Sequence, residues 1–346
     1  MTEQLILLLV YLFTVAVVLA APRFAPKNVY LGVTIPDQAR RSPTAVAALR
    51  SYRLQVLLHA ILIFILVVVA GPKAIGFAAV WFMVGSSIAF ATSHAKVRTL
   101  APPAERRQVH SASLQPRSTN LPLGWIVGLI PVAAVIGAGM YLYLNQASLP
   151  PRFPVHYGFN GPDRFVDTSP AFLLIMMVGG TVMCVTMLLS AIAIMRTRRV
   201  AMSGPAARYE DRFRSTNALT VIIAEYLLAI GFAGLPLGFV LGSPWDRVMS
   251  YALLLLTLAV VLLALYTFYI KYQQEVAIDD GDKITGDRTP DECWTWGMIY
   301  FNADDPAVFV EKRFGIGYTL NFANWLAWAF LLGILIVPLL ISVVLR

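Results

Sequence analysis

Val248–Ile270 reads VMSYALLLLTLAVVLLALYTFYI, twenty-three residues without one charge. At 1.5 Å per residue a helix of that length covers about 34 Å, enough for the roughly 30 Å hydrocarbon core of a bilayer. Water offers no use for such a segment, and the whole chain follows suit. Of its 346 residues 58% are hydrophobic and only 13% are charged, with mean hydropathy +0.70. Soluble domains carry about 25% charged residues. Seven further apolar runs of similar kind are Gln4–Ala21, Leu54–Ala70, Ala74–Ser93, Gly124–Leu144, Ala171–Met195, Asn217–Leu241 and Trp325–Leu345. The runs are continuous rather than alternating, which excludes a membrane β-barrel. The expected fold is an all-α, polytopic transmembrane bundle of about eight helices. The first run lacks a basic start, which argues for a span, although VVLAAPR offers small residues where a signal peptide would be cut.

The net charge of +8 is unevenly spread. Four alternate loops, Pro22–Arg53, His94–Leu123, Arg196–Arg214 and Lys271–Asn324, hold 22 of the 27 Lys and Arg residues. Basic loops stay in the cytoplasm. Both termini are therefore expected outside, as is the segment between the fourth and fifth runs. The basic excess reads as topology and attraction to anionic lipid, with no nucleic-acid partner. The two cysteines, Cys184 in a span and Cys293 in a loop, imply no disulfide framework and no zinc spacing.

The segment expected outside, Leu149–Phe165, is LPPRFPVHYGFNGPDRF. Pro150, Pro151 and Pro154 favour an extended, polyproline-like loop. Phe153, Tyr157, Phe159 and Phe165 give it an aromatic side suited to the headgroup level. His156 stands near its centre and can change charge at ordinary pH. A ligand- or peptide-recognition loop and a simple loop cap both fit these residues.

On the cytoplasmic side, Ser42 and Pro43 have the identities of a helix N-cap and first position, and a short interfacial helix should lead into the second run. In Lys271–Asn324, WTWGMIYFN reads as a strand, ADDP as a turn and AVFVEKRF as a second strand. The expected β-hairpin lies against the inner membrane face through Trp294, Trp296 and Phe309. Asp304 and Asp305 stand just before Pro306 and suit a turn better than a metal or acid–base pair. An internal echo links Lys27…Gly32-Val33-Thr34-Ile35 with Lys312…Gly317-Tyr318-Thr319-Leu320.

Leu149, Pro150, Pro154, His156, Tyr157, Asn160, Gly161 and Asp163 resemble the LPxxxPxH motif of a domain of unknown function. That domain occurs in SdpI-like bacterial membrane proteins, the immunity proteins of the sporulation-delaying toxin system. Tyr300, Asn302, Asp305, Pro306, Phe309, Val310, Lys312, Arg313, Gly315, Gly317, Thr319 and Asn321 are similar to a second uncharacterised domain, YxNxxDPxxFVxKRxGxGxTxN. These blocks cover about a quarter of the chain. The chain departs from SdpI itself in having more spans, and Gly317 stands where that family has an arginine. The resemblance implies the bacterial cytoplasmic membrane, an outer binding set of Pro150, Pro154, His156, Tyr157, Asn160 and Asp163, and a cytoplasmic motif of Asn302, Asp305, Lys312, Arg313, Gly315, Gly317 and Asn321.

Within the spans, Glu225 is the one deeply placed carboxylate, and ionisable groups there are functional candidates. His59 lies in the second run. The two suggest either a proton or ion relay or two separate packing contacts. No HExxH, GxSxG, GxxxxGK(S/T) or GxGxxG signature occurs, so neither an enzyme nor a metal or cofactor site is expected. The first expectation is receptor- or immunity-type sensing of an extracytoplasmic peptide or toxin, with the lipid bilayer and a cytoplasmic regulator as further partners. The alternatives are a secondary transporter or permease using Glu225, and a non-catalytic envelope scaffold. By function the chain divides into 1–145, 146–270 and 271–346.

Overall fold

A computed structural model describes residues 2–25, 29–71, 74–102, 120–158, 161–197, 204–279 and 289–344. Each of the eight apolar runs is helical over its described residues. Among the described residues six helices are long and apolar enough to cross a membrane, the longest being Arg208–Leu241 and Trp245–Gln274. The first and last runs form apolar helices of 19 and 20 residues. The chain divides into two compact units, neither of them one continuous segment: 1–113 with 199–207 and 271–323, and the remainder.

The first unit begins with α1 (Thr2–Ala20), followed by the antiparallel pair β1 (Val29–Tyr30) and β2 (Val33–Thr34). Their two-residue turn places Leu31 at φ 45° and Gly32 at φ 78°. Left-handed conformation at both central positions matches the right-handed twist of the flanking strands. After α2 (Asp37–Arg40), Ser42 caps α3 (Pro43–Ala70), its hydroxyl accepting from the Ala45 N–H at 3.2 Å. The expected interfacial helix and the second span are thus one helix of 28 residues. Its buried residues Ala45, Ala48, Tyr52, Val56, Ala60 and Ile63 recur every three or four positions and form one stripe against α4 (Ile75–Arg98). The Tyr11 hydroxyl donates to the Ala60 carbonyl and Tyr52 donates to the Val18 carbonyl at 2.7 Å, fixing α1 on α3.

The C-terminal part of this unit corrects the expected single hairpin. Trp294–Thr295 (β5) pairs with Ile299–Tyr300 (β6), and Phe309–Glu311 (β7) pairs with Tyr318–Leu320 (β8). WTWGMIYFN is therefore a hairpin in itself, because Trp296 at φ 54° and Gly297 at φ 67° reverse the chain in its middle. A bridge between Tyr300 and Asn321 joins the two hairpins. Trp294 does not face lipid. It is buried among Tyr300, Val310 and Ala307, and its indole N–H donates to the Thr289 hydroxyl at 2.7 Å. Phe309 is half-buried and Trp296 is exposed.

The second unit contains α5 (Gly124–Leu144), the strands β3 (Arg152–Gly158) and β4 (Gly161–Asp167), α6 (Pro170–Met195) and, from Arg208 on, α7 (Gly204–Ala229). A π-helical turn, Ile230–Gly234, connects α7 to α8 (Leu235–Leu241). α9 (Trp245–Asp279) belongs to this unit as far as Ile270, and α10 (Trp325–Val344) completes it. Close helix contacts rest on absent side chains. A Cβ on Gly139 would lie 2.4 Å from the Met177 Cγ, and one on Gly180 would lie 2.7 Å from the Phe232 Cβ. Small residues allow this approach in membrane bundles, where no water-driven hydrophobic force brings helices together.

The segment expected as a polyproline loop is instead a β-hairpin. Arg152 faces Asp167, Phe153 faces Val166 and Pro154 faces Phe165. Three prolines do not prevent this, because the two-stranded ribbon leaves free edges where a missing N–H breaks no ladder.

Candidate functional site

Glu225 is placed by α7, whose buried face in this stretch carries Ala218, Ile222, Glu225 and Ala229 at helical spacing. The residue is 0% exposed, and neither carboxyl oxygen has a hydrogen-bond partner among the described residues. An apolar cluster adjoins its backbone. Cys184 and Ala229 belong to a cluster with Val135, Ala138 and Ala233, packed by Leu228 and Phe232. The Cys184 thiol lies 3.9 Å from the Glu225 backbone carbonyl. No group of three His, Cys, Asp or Glu side chains suited to a metal occurs among the described residues. Five residues after Glu225 the α-helix widens into the π-turn, where the Leu235 N–H bonds the Ile230 carbonyl, five positions back. Such turns interrupt helices mostly at functional positions.

His59 belongs to the other unit and has local partners of its own. Its Nδ1 accepts from the Trp81 indole N–H at 3.3 Å, and its ring fills the notch at Gly85, where a Cβ would lie 2.7 Å away. The ring is thus a packing element of the α3–α4 pair.

Of the segment expected outside, Phe153 and Pro154 are buried and His156 is exposed. The Pro150 carbonyl accepts from the Thr168 hydroxyl at 2.6 Å. The register shifts on both sides of His156, between Pro154 and His156 and again before Tyr157. Such bulges twist a ribbon and re-aim a side chain. Asn160 lies outside the described residues, while Tyr157 pairs with Pro162 across the ribbon and Asp163 belongs to β4. Phe153 turns inward, against Leu142, Phe172 and Leu173, contrary to the expected headgroup position.

The motif expected in the cytoplasm serves to build its own fold. Asn321 is fully buried and uses its whole amide: Nδ2 donates to the carbonyls of Asn302 (2.9 Å) and Asp305 (2.8 Å), while Oδ1 accepts from the N–H groups of Asn302 (3.0 Å) and Ala323 (3.2 Å). Asp305 accepts from the Tyr300 hydroxyl at 3.1 Å and from the Ala307 N–H at 3.0 Å, forming the turn its position before Pro306 implies. Burial pushes the Tyr300 phenol up from its ordinary pKa, which keeps it a donor. Asn302 donates to that hydroxyl at 3.1 Å. Gly315 and Gly317 take φ 77° and 99°, and Lys312 bonds the Gly317 carbonyl through its backbone N–H at 3.0 Å.

Arg313 is the centre of this region. It is 1% exposed and pairs with Asp291. It also donates to the Thr289 carbonyl and approaches the Gly32 carbonyl at 3.4 Å, and its guanidinium stands 5.5 Å from the Trp294 ring centroid. Asp291 in turn accepts from the Thr34 hydroxyl at 2.8 Å and N–H at 3.2 Å. Beside it Phe314 enters between Phe90, at 3.8 Å, and Tyr52, at 5.7 Å between centroids. The tips of the β1–β2 and β5–β6 hairpins meet at His94, whose Nδ1 bonds the Leu31 carbonyl at 2.9 Å. A Cβ on Gly297 would lie 2.8 Å from that nitrogen and 3.1 Å from the Gly32 Cα. Gly297→Ala is expected to cost about 1–3 kcal/mol through this overlap and its left-handed φ. Faster amide exchange across β5 and β6 would register the loss. Sequence reading missed His94, Thr34 and Asp291. The adjacent Leu-Gly and Trp-Gly pairs were the available signal for tight hairpin tips.

Residues 303–328 match a family of unknown function, DUF5808. The match spans β7, β8 and the first turn of α10, and so includes Asp305, Arg313 and Asn321. No curated protein matches the chain. No solved structure matches it either.

Proposed function

We propose that this chain is an eight-span protein of the bacterial cytoplasmic membrane, with both termini outside, and that it moves protons at Glu225 as a secondary transporter. The carrying observation is a fully buried carboxyl with neither oxygen bonded, in a helix long and apolar enough to span a bilayer. An ionised carboxylate without partners in such surroundings costs several kcal/mol, so the group is stable there as the neutral acid. A carboxyl that holds a proton in hydrocarbon and releases it on meeting water is the elementary part of a proton-coupled carrier. The lone acid suits a proton better than a metal ion, which needs several oxygen ligands. The eight-span orientation rests on the 22 cationic residues gathered in alternate loops.

Reconstituted vesicles containing a pH-sensitive dye provide the test. Under an imposed membrane potential the protein should acidify the lumen faster than protein-free vesicles do, and Glu225→Gln should return the rate to that baseline. Equal rates for wild type and variant would remove the proposal.

One observation favours a second reading, sensing of an extracytoplasmic peptide or toxin: His156 is exposed between two bulges of the β3–β4 hairpin. The resemblance of this stretch to SdpI-like proteins points the same way. A receptor of that kind conducts no protons, so the same vesicles separate the two readings.

A further inference from the structure

We propose that the β3–β4 hairpin and α8 move as one piece about the π-turn, and that this movement controls how water reaches Glu225. The inference rests on the proton-carrying reading of Glu225 and adds its regulation; Phe239 is the positioning residue.

Three observations join the hairpin to the carboxyl. First, the hairpin is fastened to α8 by aromatic packing. The Phe239 ring lies 5.6 Å from that of Phe153 on β3 and 6.5 Å from that of Phe165 on β4, both at steep interplanar angles. Phe153 is fully buried, and Leu237 and Val240 of α8 pack on the same cluster. Aromatic pairs prefer a few relative orientations, and each contact adds stability beyond its buried area. Second, the far end of α8 is tied down too. A Cβ on Gly238 would lie 3.2 Å from the Asp246 Cα, so the first turn of α9 travels with it.

Third, the near end of α8 departs from regular helix, although Leu235 and Pro236 are buried there. It begins at the π-turn, which contains Gly231 and Gly234, and Pro236 supplies no N–H to the helical ladder as α8 starts. Kinks in helices occur at such points. The π-turn also belongs to the cluster beside the Glu225 backbone, whose carbonyl lies 3.9 Å from the Cys184 thiol. Ala233 is buried there with Cys184 and Val135, and Phe232 closes against Gly180. A rotation of α8 about this turn therefore opens the packing one to two turns beyond Glu225 along its own helix. A packed piece on a glycine-bearing hinge is the usual construction for gating a buried site.

Infrared spectroscopy of the full chain in lipid nanodiscs tests this. The protonated-carboxyl stretch of Glu225 is the band absent from Glu225→Gln, and its shift in heavy water measures solvent access to that group. Phe239→Ala should leave the band intensity unchanged and speed its deuteration about tenfold, the effect of losing two aromatic contacts. Phe165→Ala removes one contact from a ring already 37% exposed, so the fold is spared, and should accelerate exchange about threefold. Unchanged exchange in Phe165→Ala, with the band present, would overturn the coupling. No band difference between wild type and Glu225→Gln would instead overturn the proton reading beneath it.

Discussion

Arg313→Ala is expected to destabilise the region around the β5–β6 and β7–β8 hairpins by about 2–3 kcal/mol, since the carboxylate left behind is 33% exposed. The magnitude follows from what the substitution leaves behind. Asp291 loses its buried cation and keeps the Thr34 hydroxyl and N–H as donors. The carbonyls of Thr289 and Gly32 lose a guanidinium partner, and the Trp294 ring loses the charge beside it. A stranded carboxylate and unmet carbonyls cost more than the intact pair contributes. Arg313→Lys keeps the charge but not the fork that serves several acceptors at once, so about half of the loss should remain. Paired replacement, Asp291→Leu with Arg313→Met, removes both charges and should recover much of the deficit. Protease accessibility of residues 289–323 in detergent orders the variants: alanine most cleaved, lysine and the pair between it and wild type. Wild-type resistance in Arg313→Ala would mean that the pair carries little of the fold.

How much of this the sequence discloses depends on the range of the interaction. Apolar length is a local property, and each of the eight runs became a helix. The Ser42 cap and Pro43 start are equally local and stand where they read. The internal echo has a backbone cause. Gly32 and Gly317 both take left-handed φ, and each leads into a short strand, β2 and β8. Lys27, its first residue, lies outside the described residues. The errors arose where turn geometry or distant contact decided. Trp296 carries a bulky side chain that disfavours positive φ, so WTWGMIYFN reads as one strand and its Trp-Gly turn is not legible. Arg313 meets Thr34 and the Gly32 carbonyl across about 280 positions, and no periodicity announces such a contact. The inward face of Phe153 likewise depended on Phe172 and Phe239, which belong to two different helices. Glu225 was legible because a carboxylate in an apolar run is rare. That both its oxygens stand without partners was not.

Glu225→Leu should stabilise the second unit while abolishing proton movement. The reasoning turns on the unbonded carboxyl. Folding strips the group of water and gives its oxygens nothing in exchange, a cost of about 1–3 kcal/mol. Leucine is of similar size and suits the buried helix face that carries Ile222 and Ala229. The variant should therefore melt a few degrees higher in detergent. Glu225→Gln retains a buried polar group and should melt near wild type, yet both variants should be inactive. This pattern separates function from architecture, because residues kept for stability lose it when removed, as Arg313 should. Residues kept for chemistry at the expense of stability show the opposite sign. A lower melting point for Glu225→Leu would mean that the carboxyl bonds something that holds the bundle together, and the proton-carrying reading would lose its physical basis.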